Sequence, residues 1–316
     1  MTLIREIEFS KQNIVLELFQ EFFQSMEEAH RPKSEVVENM LDFWSEGKTV
    51  ILGKVDNEDE ILGIVYLGLP SNRLLFAHAR SYLGSSRVKA LERELFDAGF
   101  KRLKEYESWV ISGSPIWLKK HLIEYALDVG FKRYDTIVMT AKREAIEADQ
   151  IQETPNGFTL EIYESQWKEE IAKVVFESFK DSPDVNAEPD AVSTLERCQT
   201  LVNDTVNGRY GNFRNGDFSW VLKNGSQIIG VALHTLQSEE SAFAAGVCLK
   251  EPYRGKGLGK LMFIHSLRNL LEKAPKVNEI QLNTLSINPA RHLYKSVGFE
   301  KTSEYSVYTW VKDENV

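Results

Sequence analysis

Two apolar rhythms run along this chain. Between Ile14 and Phe23, the residues Leu16, Phe19, Phe22 and Phe23 recur at helical spacing, and between Trp167 and Phe179 so do Ile171, Val174, Val175 and Phe179. Residues three and four apart share one helix face, so each run predicts an amphipathic helix. Shorter apolar runs follow each of them. Ile61-Leu62-Gly63-Ile64-Val65-Tyr66 comes after the polar turn Asp56-Asn57-Glu58-Asp59, and Ile228-Ile229-Gly230-Val231-Ala232 after Asn224-Gly225-Ser226. Both predict hairpins whose second strand carries a glycine.

These landmarks repeat at nearly constant spacing. Gly63 is 67 residues from Gly130 in Val129-Gly130-Phe131, and Gly230 is 68 residues from Gly298 in Val297-Gly298-Phe299. Such a period points to a duplicated domain. Between the halves, Glu144–Gly157 contains no aromatic residue and ends in Thr154-Pro155-Asn156-Gly157, which reads as a connection. The expected division is a first domain over 1–147, a linker over 148–157 and a second domain over 158–316. In the second half the pattern predicts strands at Phe218–Leu222, Gln227–Leu236 and Ala242–Leu249. A helix from Gly257 to Lys273 follows, stopped by Ala274-Pro275. A strand at Glu279–Leu285, a short helix at Pro289–Ser296 and a last strand at Tyr305–Lys312 complete the order. This is a mixed α/β (α+β) domain with an antiparallel front.

Composition narrows the function classes. The 316 residues are 42% hydrophobic and 27% charged, with a formal net charge of -9. An acidic chain lacks the basic surface that displaces counterions from nucleic acid, so no nucleic-acid partner is expected. The two cysteines, Cys198 and Cys248, stand far apart with no histidine cluster, which speaks against a zinc site or a disulfide framework. The N-terminal residues Met1-Thr2-Leu3-Ile4-Arg5-Glu6 do not begin a signal peptide's apolar run, and no stretch is apolar enough to span a bilayer. No membrane partner and a cytoplasmic location are therefore expected, while oligomeric state is not legible.

Chemistry concentrates between a strand and a helix, at Val247-Cys248-Leu249-Lys250-Glu251-Pro252-Tyr253-Arg254-Gly255-Lys256-Gly257-Leu258-Gly259-Lys260. Amides at a helix start are unpaired and sit at the positive end of the helix dipole, and glycines let a ligand approach the backbone. With Arg254, Lys256 and Lys260 nearby, the segment predicts an anion site, most naturally for a pyrophosphate. A P-loop would need Ser or Thr where Leu261 stands, and a dinucleotide fingerprint would need glycine where Lys260 stands. The pattern that remains is Arg254, Gly257 and Gly259.

The stretch Tyr253 to Gly259 resembles the pyrophosphate-binding motif of the GNAT N-acetyltransferases. The later stretch Asn288-Pro289-Ala290-Arg291-His292-Leu293-Tyr294-Lys295-Ser296-Val297-Gly298-Phe299 resembles their second hallmark, in the right order and at a suitable distance. The resemblance covers about residues 158–312. It implies a tandem member: two GNAT-like acyl-CoA N-acyltransferase domains, each a mixed, mostly antiparallel twisted sheet flanked by helices. It also implies acetyl-CoA as cosubstrate, with no metal. Val247, Cys248 and Leu249 would hold the splayed strand that pairs with the pantetheine arm. Gly255, Lys256, Gly257, Leu258, Gly259 and Lys260 would wrap the pyrophosphate, Arg254 would belong to the same motif, and Asn288 would contact the cofactor near the pantetheine. Tyr294 would be the acid that protonates the departing thiolate.

Where some family members carry a glutamate base, this chain has Asn283. Glu239, Glu240, Asp217 and His234 are other candidates, each read more simply as a surface or strand residue. Cys248 reads as strand packing rather than a nucleophile. The acidic segment with Asp181, Asp184, Glu188 and Asp190 lies where the family covers its acceptor. In the first half, Gly84 alone survives of the glycine loop, and Lys120 and Ala126 stand in place of Asn288 and Tyr294. That half is expected to be a degenerate GNAT-like domain. Three functions remain open on sequence: acetylation of a small-molecule amine, acetylation of a protein lysine or N-terminus, and a non-catalytic acetyl-CoA-binding module.

Overall fold

A computed structural model describes residues 3–26, 34–68, 73–105, 110–113, 118–150 and 153–311. The chain divides into two compact units, Met1–Tyr134 with Ser306–Val316, and Asp135–Tyr305. The first contains strand β1 (Leu3–Glu6), helices α1 (Gln12–Gln24) and α2 (Ser34–Ser45), and strands β2 (Thr49–Val55), β3 (Ile61–Gly68) and β4 (Arg73–Ala79). Helix α3 (Ser85–Lys104), strand β5 (Val110–Gly113) and helix α4 (Lys120–Asp128) follow, and strand β6 (Lys132–Lys142) leads into the second unit. There the chain forms α5 (Arg143–Ala148), β7 (Phe158–Ile162), α6 (Lys168–Phe179), α7 (Asp184–Ala187), α8 (Pro189–Val192) and α9 (Leu195–Val206). Strands β8 (Trp220–Asn224), β9 (Gln227–Leu236) and β10 (Ser241–Leu249), helix α10 (Leu258–Lys273), strand β11 (Glu279–Leu285), helix α11 (Ala290–Ser296) and strand β12 (Glu300–Val311) complete the order.

Each unit is a mixed, mostly antiparallel sheet with helices on both faces. In the first, the sheet order is β1-β2-β3-β4-β5 and then the end of β12. Every residue of β3 is buried, because the strand is covered on both sides. Ile64 and Tyr66 pack with Phe19 and Phe22 of α1, while Val65 and Leu67 pack with Leu95 and Phe96 of α3. The buried face of α1 runs through Val15, Leu18, Phe19, Phe22 and Phe23, so Leu16 lies beside the seam rather than in it. In the second unit the order is the start of β12, then β6-β11-β10-β9-β8-β7. Helix α10 covers one face with Leu261, Met262 and Phe263, and α6 covers the other with Ile171, Val174 and Val175.

The observed division differs from the one expected at 148–157, and strand pairing is the reason. Strand β6 lies before that point, yet it pairs antiparallel with β11 from Thr136↔Leu285 to Lys142↔Glu279. Its Ile137, Met139 and Ala141 are buried in the core beneath α10. Conversely, the end of β12 pairs with β5 of the first unit, from Tyr308↔Gly113 to Val311↔Val110. Part of the segment read as a connection is also structured. Helix α5 buries Ile146, and Arg143 donates to the carbonyls of Val277, Ala274 and Pro275 at the end of α10. Residues 151 and 152 of the expected linker, Lys312 at the expected end of the last strand, and Met1 and Thr2 lie outside the described residues.

Candidate active site

The site is built where two parallel strands part. Strands β10 and β11 pair only from Ser241↔Glu279 to Phe243↔Gln281. Beyond that point β11 keeps its pairing with β6, and β10 keeps its pairing with β9 through Val247↔Ala232, Cys248↔Val231 and Leu249↔Gly230. A register shift between Ala244 and Gly246 marks the divergence; such bulges re-aim a strand and increase its twist. The facing edges of β10 and β11 therefore carry backbone groups with no strand partner, a ready template for an extended polar ligand. Val247, Cys248 and Leu249 lie on this edge.

The glycine loop stands at the end of the same strand. Gly255 and Gly257 have φ of +74° and +78°, the left-handed region that side chains resist, and a Cβ on either would meet no atom within 4 Å. Hydrogen bonds close on both sides of the loop: Tyr253 N–H to Lys250 O and Arg254 N–H to Glu251 O before it, and Leu261 N–H to Gly257 O after it, each at 3.0 Å. Among the described residues, the six amides between them, Gly255 to Lys260, donate to no protein acceptor. Gly257 caps the sixteen-residue α10, so these amides also lie at the positive end of a long helix. Donors without acceptors above open space are the arrangement that binds phosphate oxygens.

The side chains of the loop hold it in shape. Arg254 donates from Nε to Leu249 O at 2.9 Å and from Nη2 to Ser178 O at 2.7 Å, fastening the loop to β10 and α6. Lys256 Nζ donates to Pro252 O at 2.9 Å. Lys260 Nζ binds Ser296 O and the Asp149 carboxylate, each at 2.9 Å. Tyr253 packs edge-on against Phe158 and accepts from Asn224 Nδ2 at 3.1 Å. Leu258 is buried beneath the loop, and Gly259 of α10 faces Leu293 and Leu249. The open face of the loop is thus backbone, and the cationic side chains brace it.

Helix α11 brings Tyr294 to the opening. Its ring packs on Phe263 and Phe299, and burial, then the neighbouring Cys248 and Asp184, push its phenol far above the usual value. It therefore stays protonated at neutral pH. Burial likewise pushes the Cys248 thiol up to about 12, so it is not the thiolate a nucleophile requires. Asn288 sits just before α11. Its Oδ1 accepts from Ala290 N–H at 2.9 Å and its Nδ2 donates to Asp184 Oδ2 at 2.6 Å.

The other carboxylate and histidine candidates stand elsewhere. Glu239 pairs with Lys276 at an exposed hairpin, and Asp217 lies 4.0 Å from Arg214. His234 is fully buried, bonded to Ser266 Oγ at 2.8 Å, and burial lowers its pKa to about 3. Asn283 is exposed and donates to Tyr305 Oη at 3.4 Å. Asp184, which accepts from Asn288, was visible in the sequence only as one charge in an acidic run. Among the described residues no group of three or more His, Cys, Asp or Glu side chains is placed to hold a metal ion. No described helix is long and apolar enough to cross a membrane.

In the first unit a strand amide is taken up by a buried side chain. Among the described residues, strands β4 and β5 pair at Arg73↔Ser112 and Leu74↔Gly113. Further along β4, Ala79 N–H donates to Glu92 Oε1 of α3 at 3.1 Å. Glu92 also binds Lys119 and lies 2.9 Å from His121 Nε2, and Lys119 lies 3.0 Å from His78 Nδ1. Burial pushes the Glu92 carboxyl up, but His78, Lys119 and the Ala79 amide more than offset this and hold it below its usual value. Lys120 begins α4 and Ala126 is buried, so neither the amide nor the phenol of the second unit has an equivalent.

Residues 215–301, which span the splayed strands, the glycine loop and α11, match the model of the acetyltransferase (GNAT) domain family. This segment is a GNAT domain. The fold of the whole chain is shared with solved GNAT proteins at low identity. A GCN5-related N-acetyltransferase from Sphaerobacter thermophilus superposes with a TM-score of 0.54 at 15% identity, covering 98% of this chain and 95% of that one. A tandem GNAT protein from the clavulanic acid biosynthesis pathway gives 0.54 at 14% identity, covering 98% of each chain. The glucosamine N-acetyltransferase region of a fungal multi-domain β-N-acetylglucosaminidase gives 0.59 at 13% identity, covering 98% of this chain and 38% of that one. No curated protein matches the sequence. Over the rest of the chain the likeness to these structures is one of fold.

Proposed function

We propose that the second unit binds acetyl-CoA and transfers its acetyl group to a small-molecule amine. The observation that carries this reading is the row of six amides from Gly255 to Lys260 that donate to no protein acceptor at the start of α10. Their number and placement suit a diphosphate, and the unpartnered edge of β10 suits the amide-bearing pantetheine arm that would follow it. Acetyl-CoA would supply the acetyl group as a thioester. A backbone N–H of β10 would then hold the developing negative charge on the carbonyl oxygen. Tyr294, kept protonated by its surroundings, would give the proton that sulfur takes as the carbon–sulfur bond breaks and the carbon–nitrogen bond forms.

Calorimetry with coenzyme A and acetyl-CoA tests the binding half of the proposal, and binding is expected at micromolar to low millimolar concentration. Thiol release with a panel of amines tests the transfer half. Tyr294→Phe is expected to lower turnover about 100-fold with coenzyme A affinity unchanged. An unchanged rate removes Tyr294 as the acid. Tight binding of acetyl-CoA without turnover of any amine would favour a non-catalytic module.

A further inference from the structure

Side chains tie together the diverging ends of β10 and β11. At the end of β10, Arg254 donates from Nε to Leu249 O and from Nη2 to Ser178 O near the end of α6. Ser182 N–H closes on Phe179 O at 2.7 Å, and the Ser182 hydroxyl donates to Asp184 Oδ2 at the start of α7. Asn288 Nδ2 donates to the same oxygen at 2.6 Å. Asn288 itself follows β11: its N–H binds Leu285 O at 3.0 Å, and Arg291 Nη1 reaches Ser286 O at 2.6 Å. The bond between Asn288 and Asp184 therefore completes a hydrogen-bonded path from one parted strand to the other.

The direction of that bond is built in. Ala290 N–H can only donate, so the oxygen of the Asn288 amide must face it and the NH₂ must face Asp184. Ala290 is the first residue of α11, a helix of seven residues. So short a helix has little stability of its own and takes its place from its attachments. Side chains from distant parts of the chain hold both its ends. Lys260 Nζ binds Ser296 O at 2.9 Å at the last residue, and the bond to Asp184 holds Asn288 just ahead of the first. Tyr294 belongs to this helix, with its ring packed on Phe263 and Phe299.

We infer that the bond from Asn288 to Asp184 is a clasp that sets α11, and with it Tyr294, at the height its proton transfer requires. Asn288 and Asp184 are positioning residues in this account, and Asp184 serves the clasp as a hydrogen-bond acceptor. The inference rests on the acetyl-transfer reading. Its chemistry can be reversed without being removed. Asn288→Asp keeps an oxygen for Ala290 N–H but sets two carboxylates face to face. Asp184→Asn still offers an amide oxygen to Asn288 Nδ2. The protein carrying both changes has one donor and one acceptor again, and the Ser182 hydroxyl can turn to accept.

The test measures thiol release with the fastest amine of the panel, coenzyme A affinity by calorimetry, and hydrogen exchange along α11, all on full-length proteins. Asn288→Asp is expected to lower kcat about 30- to 100-fold, with the amine KM and coenzyme A affinity within about threefold. Asp184→Asn should change kcat by less than about threefold, because its amide still accepts the bond. The doubly changed protein should regain at least about tenfold over Asn288→Asp. In a Tyr294→Phe background, Asn288→Asp should cost less than about threefold more, since no phenol is left to misplace. A double exchange no faster than Asn288→Asp, equal losses with and without Tyr294, or a parallel loss of coenzyme A affinity would each overturn the inference. Exchange along α11 needs no substrate. It should rise about tenfold in Asn288→Asp and return in the double exchange, and the absence of that return would overturn the clasp even in a protein that turns over no amine. A wild-type protein that binds no coenzyme A would instead remove the acetyl-transfer reading, and the exchange result would still decide the clasp.

Discussion

Two buried ionisable residues make opposite demands on their surroundings. His234 has no exposed surface, its Nδ1 has no hydrogen-bond partner among the described residues, and its ring stacks on Phe263. Unfolded, it takes a proton near pH 6.5; folded, it resists one until about pH 3. Below pH 6.5 the unfolded chain therefore binds the extra proton, and stability falls as pH drops toward 3, by up to about 1.4 kcal/mol per pH unit. Urea midpoints at pH 7 and pH 5 measure that slope, and His234→Leu is expected to flatten it. Glu92 is the reverse case, a buried charge that needs its cations. Its folded pKa is held below the usual value, so its contribution is present above about pH 4.5 and is lost as pH falls through the folded value. Glu92→Ala strands Lys119 and the Ala79 amide, and is expected to cost about 3–5 kcal/mol in a denaturant titration. At these two positions the sequence shows only a histidine in a strand and a glutamate in a helix.

The glycine loop and α10 act together as one element. The spacing of Arg254, Gly257 and Gly259 was legible in the sequence, and so was the helix that follows, because a helix start and its dipole depend on adjacent residues. What the spacing left open was which atoms face the ligand. The structure turns Arg254, Lys256 and Lys260 toward protein acceptors and leaves the amides free. Substituting Gly257 by alanine is expected to cost about 1–2 kcal/mol in stability from the left-handed backbone. Its larger effect should be on coenzyme A affinity, lowered more than about tenfold by a Cβ in the open space over the amides, as calorimetry would read. The repeated glycines have their own reasons. A Cβ at Gly63 would lie 2.7 Å from His78 O, and one at Gly230 would lie 2.9 Å from Leu249 Cδ1 and 3.1 Å from Cys248 O, so each marks a close approach beside the strand that splays. Gly130 and Gly298, with φ of +100° and +91°, stand just after helices α4 and α11 and end them.

At the scale of the chain, the two units trade strands. Residues 158–316 alone would lack β6, leaving β11 an open edge along Glu279–Leu285 and baring the core that Ile137, Met139 and Ala141 cover. That fragment is expected to aggregate, whereas residues 135–305, which keep β6 and shed the strand end that belongs to the first unit, should run as a soluble monomer or remain better dispersed in size-exclusion chromatography.

The repeat of helix, hairpin and Gly-Phe landmarks fixed the element order of both halves in advance, since those signals depend on neighbours along the chain. The domain border was not legible in this way, because β6 and β12 read as strands whichever sheet receives them. Only the pairing partner decides, and that partner lies over a hundred residues away. The site divides along the same line. The glycine loop and Tyr294 lie in continuous motifs and could be singled out in the sequence. The bond from Asn288 to Asp184 joins residues 104 apart, and the buried network around Glu92 is set by side chains from three elements. Local spacing determines what a segment can become, whereas long-range contact determines which polar groups meet.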